Sequence, residues 1–304
     1  MHNSIMQNFE FIYFFMEENT DNSLVSPFDY KKEDLNKIEK ILQRNLQQVI
    51  PLEKTPPNII TPWWGELKNL EFEKKINSKI TSTLLGLELG NDFTPSHTHI
   101  ISSLEELKRL KLPFSQRQFI KRSPFHSSGK GSSLLTENNV NDPIKEDVII
   151  TPLLNKKFEI GCCVNEQDHL SFHLAHYPHF TFMGGTVYRD DEELFRSLGL
   201  SFKDHFNAME KIISFYRSLG YKGRLNIDSL YYEEEGKIKP YYLMEVNARR
   251  SMGLFLQTLK KLIPPHKKKG DLILTPLLLA DDHLIKLSPD LPKQSKKTYF
   301  KTGN

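Results

Sequence analysis

Only two cysteines occur in the 304 residues, and they are neighbours, Cys162 and Cys163. Adjacent residues on a strand point to opposite faces, so the pair offers neither a disulfide framework nor a metal site. A chain without disulfides suits a reducing compartment, and the expectation is a soluble cytoplasmic protein. Long apolar runs are missing too. The stretch from Phe9 to Met16 is broken by Glu10, has no basic flank and is too short to span a bilayer. It reads as a buried strand. An excess of one charge is also absent: the net charge is +3, which points to neither nucleic acid nor a membrane surface. The Ser/Gly-rich stretch near residue 127 lacks a GK[ST] ending, which excludes a Walker A phosphate loop. No internal repeat is present.

What is there is ordinary for a globular protein, with 38% hydrophobic and 26% charged residues. The length allows two or three lobes. Leu35, Ile38, Leu42, Leu46 and Val49 recur at helical spacing, and a short strand at 58–61 precedes Trp63-Trp64. This is the pattern of a small α/β lobe. A helix from Asn77 to Leu89 ends at Gly90, and its start presents Lys79 where free N–H groups attract anions. Ser103 with Glu106 forms a capping-box pattern for the next helix. Gly184-Gly185 marks a turn, Phe202 to Leu219 is an amphipathic helix, and Leu254 to Leu262 is helical. Leu272 to Leu279 is a strand or a helix. Residues 288–304, rich in Lys, Ser and Pro, read as a disordered basic tail.

Three places carry chemistry. In Gly223 to Arg250 two apolar, aromatic-rich runs flank a polar turn, an antiparallel hairpin pattern. A turn about Gly236-Lys237 puts Asp228 opposite Glu245, on one sheet face with Asn247 and followed by Arg249. Hard oxygen ligands on a rigid sheet suit Mg²⁺. The second place is strand Gln118 to Arg122, with Lys121 inside it, followed by Ser127, Ser128, Gly129, Lys130 and Gly131. Such a strand–loop–strand flap lets backbone N–H groups approach phosphate closely. The third is the strand Lys157 to Val164, where Glu159 sits among apolar residues, and the cluster His169, His173, His176 and His179 beyond it. The histidine spacing suits a helix while the flanking pattern suggests strands, so a substrate-facing polar strand outranks a zinc site.

In their order these pieces resemble the ATP-grasp superfamily of ATP-dependent carboxylate ligases, over roughly residues 75–260. The resemblance implies an α/β (α+β) fold in which two α+β subdomains grip ATP, preceded here by a small N-terminal α/β lobe. It sets the boundaries at 1–75 for that lobe, 76–287 for the ATP-grasp domain with its flap at about 115–152, and 288–304 for the tail. It implies ATP contacts from Lys79, Lys121, the flap residues Ser127 to Gly131, hinge residues Thr151 and Leu153, and Glu159. Asp228, Glu245 and Asn247 would hold Mg²⁺ or Mn²⁺, the last two within a Glu-x-Asn-x-Arg pattern. Lys121, Arg249 and Arg224 would serve the chemistry. One departure is the hinge, where the family commonly carries a Glu and this chain has Ile150-Thr151-Pro152-Leu153.

The implied activity is conversion of a small-molecule or peptide carboxylate to an acyl phosphate, attacked by an amine or another nucleophile. Arg250 and the His173/His176 strand would meet the acceptor. A kinase-type phosphotransferase of the same fold is the alternative, and a metal-dependent nucleic-acid binder a remote one. Many such ligases are homodimers, and the sequence leaves this open.

Overall fold

The computed structural model describes residues 11–17, 21–26, 28–54, 70–114, 117–125, 131–177, 182–279, 281, 283–289 and 296–303. The first described element is helix α1 (Ile12–Met16), where a strand was expected over 9–16. Ile12, Phe14, Phe15 and Met16 are all buried, and a short segment that is apolar all round can be helical when packed on every side. Phe11 and Phe15 meet Phe255 edge to face. Strand β1 (Ser23–Ser26), helix α2 (Lys32–Leu42) and strand β2 (Gln48–Pro51) complete the first lobe, with the two strands parallel. α2 stops seven residues short of Val49, because Gln43 takes a left-handed conformation (φ 53°) and Val49 joins β2. The predicted strand at 58–61 and the Trp63-Trp64 pair lie outside the described residues.

A second unit follows helices α3 (Leu70–Ile76) and α4 (Lys79–Leu89). It contains β3 (His99–Ile101), α5 (Leu104–Arg109), β4 (Phe119–Arg122), β5 (Ser132–Leu135) and β6 (Val148–Pro152). These strands form an antiparallel sheet in the order β3-β6-β4-β5. Ser103 caps α5 by accepting from the Glu106 N–H, and Glu106 reaches back to the Ser102 N–H. Ile101, Leu107, Phe119, Leu135, Val148 and Ile150 make the core of this unit.

The largest sheet has eight strands. In chain order they are β7 (Asn155–Val164), β8 (Leu170–His176), β9 (Gly184–Tyr188), β10 (Leu225–Glu234), β11 (Lys237–Asn247), β12 (Lys269–Thr275), β13 (Leu284–Lys286) and β14 (Lys297–Thr302). Their spatial order is β11-β10-β7-β8-β9-β12-β14-β13. Helices α6 (Asp191–Leu198) and α7 (Phe202–Ser218) cover one face, packing Phe195, Met209, Ile212 and Tyr216 on Ile160, Cys162, Phe172 and Ile227. On the opposite face α8 (Met252–Leu259) and the N-terminal lobe cover Val187, Leu272, Leu274 and Phe300. That cover leaves β7, β10 and β11 for the site.

Two expectations are corrected here. Gly184-Gly185 opens β9 instead of a turn, since a Cβ on Gly184 would lie 1.9 Å from the Leu272 carbonyl oxygen of β12. Within the segment 288–304 expected to be a disordered tail, Lys297–Thr302 form β14, which lies between β12 and β13 with Tyr299 and Phe300 buried. No described helix is long and apolar enough to cross a membrane.

Candidate active site

The β10–β11 hairpin turns at Glu235-Gly236, one residue earlier than expected, and both carry positive φ (53° and 73°). That is the pattern of a type I′ turn, whose twist matches the strands. The register then slips between Asp228 and Leu230, so that Ser229 stands against Tyr242, Leu243 and Met244. Beyond the bulge Asp228 pairs with Glu245 and Asn226 with Asn247. The extra β11 backbone is not orphaned, because the Tyr242 and Leu243 N–H groups donate to the Asp92 and Phe93 carbonyls.

Strand alternation places Asn226 and Asp228 on the open face, with Ile227 in the core behind. Asp228 accepts from the Asn226 amide at 2.7 Å and from the Asn247 amide at 3.1 Å. Arg249 donates to Asn247 Oδ1 at 2.7 Å, which fixes the amide so that its nitrogen faces Asp228. Behind Asn226 the Cys163 thiol donates to Asn226 Oδ1. Burial, then the neighbouring Glu245 carboxylate, raise Asp228 to about 8. Lys79, only 8% exposed, reaches Glu245 Oε1 at 3.2 Å from the start of α4. Asn77, just before that helix, accepts the Ala248 N–H and ties it to the hairpin. Two facing carboxylates are a hard oxygen donor set that fits Mg²⁺, and Asn247, whose amide oxygen here accepts from Arg249, would join them by turning that oxygen toward the pair. No group of three or more His, Cys, Asp or Glu side chains forms a metal cluster among the described residues.

The small sheet faces this site with a different cation from the expected one. On β4, Lys121 shares its face with the core residue Phe119 and pairs with Ile150. Arg122 lies on the other face, where it donates to Thr151 Oγ1 at 3.1 Å and to Tyr241 OH of β11 at 3.0 Å. Its Nε is buried and makes no hydrogen bond among the described residues. Lys121, expected to contact ATP, lies on the opposite face of β4 from Arg122. Thr151 is buried at the hinge, while the Leu153 N–H donates to the Gln118 carbonyl and its side chain is exposed. Leu154, Leu230, Tyr232, Tyr241 and Met244 form an apolar cluster beside the hinge. Ser127, Ser128, Gly129 and Lys130 lie outside the described residues, and Gly131 leads into β5 with φ 76°.

Glu159 pairs across β7–β10 with Leu230 and shares the open face with Asp228. Burial raises its carboxyl, although Lys156 at 3.0 Å works against this. The histidines do not gather. β8 puts His173 and His176 on opposite faces, His169 lies before the strand, and His179 is outside the described residues. His173 is buried against Gly161 and Gly253, and burial lowers it to about 4. It is a packing group and not a substrate-facing one. Arg224 donates to Glu166 at 2.7 Å and Arg250 to Glu17 at 2.8 Å. Sequence reasoning missed Arg122, Asn226 and Glu17. The first two follow from strand parity with Asp228 and Thr151, but the contact of Glu17 across 233 residues had no local signal.

No family model matches the sequence, and neither does any curated protein. Solved structures do. The biotin carboxylase–β-γ-ATP complex from Campylobacter jejuni is similar at TM-score 0.52 and 10% identity, over 77% of this chain and 64% of that one. N5-carboxyaminoimidazole ribonucleotide synthetase from Thermus thermophilus is similar at TM-score 0.50 and 12% identity, over 92% and 77%. An ADP complex of an N5-carboxyaminoimidazole ribonucleotide synthetase matches over 98% of this chain and 90% of that one, at TM-score 0.50 and 12% identity. The four-stranded and eight-stranded sheets with their helices, and these neighbours, define the class: the chain has the ATP-grasp fold. The chain spans less than two thirds of the carboxylase it resembles, and the likeness at these identities is one of fold.

Proposed function

We propose that this protein is an ATP- and Mg²⁺-dependent ligase that activates a carboxylate as an acyl phosphate for attack by an amine or similar nucleophile. One observation carries the reading: on an ATP-grasp fold, Asp228 faces Glu245 in register, with Asn247 bonded to Asp228 and Lys79 to Glu245. Phosphoryl transfer asks the protein for positioning and charge neutralisation more than for covalent chemistry. Asp228, Glu245 and Asn247 would hold Mg²⁺, which neutralises phosphate oxygens when bound. Lys79 and Arg122 supply positive charge, and Ser127 to Gly131 are the residues assigned to the phosphates. The apolar cluster of Leu154, Leu230 and Met244 takes the adenine, and Glu159 a ribose hydroxyl. Arg249, tethered to Asn247, faces the transferring phosphoryl group, where a planar fork outperforms lysine.

In the first step a carboxylate oxygen bonds to the γ-phosphorus and ADP leaves. In the second the amine bonds to the acyl carbon, loses its proton, and phosphate leaves. These residues come from one chain, so a homodimer would not be needed to complete the site. Buried, unpaired Cys162 and Cys163 suit the cytoplasm. The test is thermal melting with ATP plus Mg²⁺ against ATP plus EDTA, for the wild type and an Asp228→Ala/Glu245→Ala variant. A metal-dependent rise that the variant loses supports the reading, and ADP release on addition of an acid and an amine separates ligase from kinase. No shift with nucleotide would sink it.

A further inference from the structure

Two neighbouring rungs of the large sheet build the acidic site. Across β7, β10 and β11, Gly161, Asp228 and Glu245 form one rung, and Cys163, Asn226 and Asn247 form the other. The first carries the acids and the second holds them. Asn226 Nδ2 donates to Asp228 Oδ1 at 2.7 Å, and Asn247 Nδ2 donates to Asp228 Oδ2 at 3.1 Å. Each carboxylate oxygen therefore has its own amide. The two amides differ in what fixes their other end. Asn247 Oδ1 accepts from Arg249, a half-buried side chain just beyond β11. Asn226 is only 5% exposed, and its Oδ1 accepts from the buried Cys163 thiol at 3.3 Å. Burial pushes that thiol up, so it keeps the proton it donates. Helix α8 closes the remaining side, since a Cβ on Gly253 would lie 2.1 Å from Asn226 Oδ1.

Donor and acceptor matching gives these amides different freedom. Asn247 gives up its bond to Oδ2 when its oxygen turns toward the acids, as the proposed function requires. Asn226 has no such second setting. Reversed, it would set its oxygen against the Asp228 carboxylate and its nitrogen against the thiol, whose sulfur is a weak acceptor. A buried polar group left without a partner costs more than a typical hydrogen bond contributes. Resting on the ligase reading above, we infer that Asn226 is a positioning residue for the metal: it clamps Asp228 Oδ1 and leaves Oδ2 for the cation, with Cys163 fixing its amide. The Asn226 oxygen faces the thiol, so this side chain acts through Asp228 and is not itself a ligand. Cys163 acts one step further out, as a hydrogen-bond donor and not as a reactive thiol. Partners of this kind orient ligating carboxylates, and losing one lowers metal affinity about tenfold or more.

The probe is Mn²⁺ alone, titrated into the nucleotide-free protein and followed by the electron paramagnetic resonance signal of the unbound ion. Asn226→Ala should raise the Mn²⁺ dissociation constant by about tenfold or more. Cys163→Ala should raise it about threefold, the scale of one hydrogen bond, and Cys163→Ser, which restores a donor, should bring it back to within about twofold of the wild type. Melting without metal checks that each variant folds. The serine variant separates the hydrogen bond from packing, because a general loosening at this buried position would not follow the donor. If Asn226→Ala does not fold, the two Cys163 variants decide alone. An Mn²⁺ constant left unchanged by Asn226→Ala overturns the inference, and so does equal binding by Cys163→Ala and Cys163→Ser. A wild type that melts higher with ATP plus Mg²⁺ than with ATP plus EDTA, yet binds no Mn²⁺ alone, overturns it too and leaves nucleotide binding standing. If the wild type shows neither that rise nor Mn²⁺ binding, the ligase reading falls first and this inference with it.

Discussion

Replacing Asp228 with Asn should stabilise the protein when no metal or nucleotide is present, and remove its response to Mg²⁺. The carboxylate stands opposite Glu245, and burial with that neighbour raises it from 3.8 to about 8. A folded-state value above the unfolded one means that the native protein binds the extra proton between those limits. The stability is therefore fully present below about pH 4 and is lost as the pH rises through about 8. At about 1.36 kcal/mol per unit, the upper bound on the loss at pH 7.5 is about 5 kcal/mol. Asp228 is partly exposed, and solvent screening reduces this to roughly 3 kcal/mol. The variant keeps the acceptor for Asn226 but turns an amide toward Asn247, which costs about 1 kcal/mol. The net gain is about 2 kcal/mol, or about 4 °C in melting temperature for a chain of this size.

Differential scanning calorimetry from pH 5 to 8.5, in EDTA and in Mg²⁺ with ATP, measures both effects. The gap between wild type and variant should narrow as the pH falls toward 5. With Mg²⁺ and ATP the wild type should gain and the variant should not. A variant that melts below the wild type at every pH, or that keeps the metal-dependent gain, refutes the reasoning.

Three further outcomes are expected. Arg122→Gln should weaken MgATP binding by about tenfold or more, the loss of a charge-assisted contact, whereas Lys121→Met should change it less than about threefold; titration of a fluorescent ATP analogue compares them. Gly253→Ala should destabilise by about 1–3 kcal/mol, because its Cβ would lie 2.1 Å from Asn226 Oδ1 and 2.6 Å from His173 Cε1; urea unfolding reads this directly. Burial holds His205 at about 3, against 6.5 in the unfolded chain, so its contribution is lost as the pH falls below about 6.5. Relative to His205→Phe, the wild type should lose about 2 kcal/mol between pH 7.5 and pH 5 in urea titrations.

The hairpin was legible because its chemistry is local: two β-prone runs, a polar turn with a glycine, and acids at matching distances from it. The Asp228–Glu245 pairing nevertheless emerged from two errors that cancel. The turn lies one residue earlier than the symmetric guess, and the bulge at Ser229 adds two residues on the other strand. A bulge that hydrogen-bonds to a distant loop, here at Asp92 and Phe93, leaves no mark in the strand's own sequence. The N-terminal Phe-Ile-Tyr-Phe-Phe run has strand propensity, and only its enclosure against Phe255 and the large sheet makes a helix of it. The C-terminal strand failed for the opposite reason, since its flanking lysines hid Tyr299 and Phe300, which pack into the sheet.

Strand parity decides the remaining case. Phe119 and Ile120 are both apolar, so the sequence alone gives β4 no preferred inner face, and either Lys121 or Arg122 could turn toward the large sheet. Thr151 breaks the tie. It pairs with Ile120 on the adjacent strand, on the face opposite Ile150, and Arg122 bonds to its hydroxyl. Threonine accepts one hydrogen bond from the guanidinium and brings no charge, and among the described residues no carboxylate is paired with Arg122. Under the proposed function, a neutral Thr151 beside Arg122 is what leaves this guanidinium suited to a phosphate.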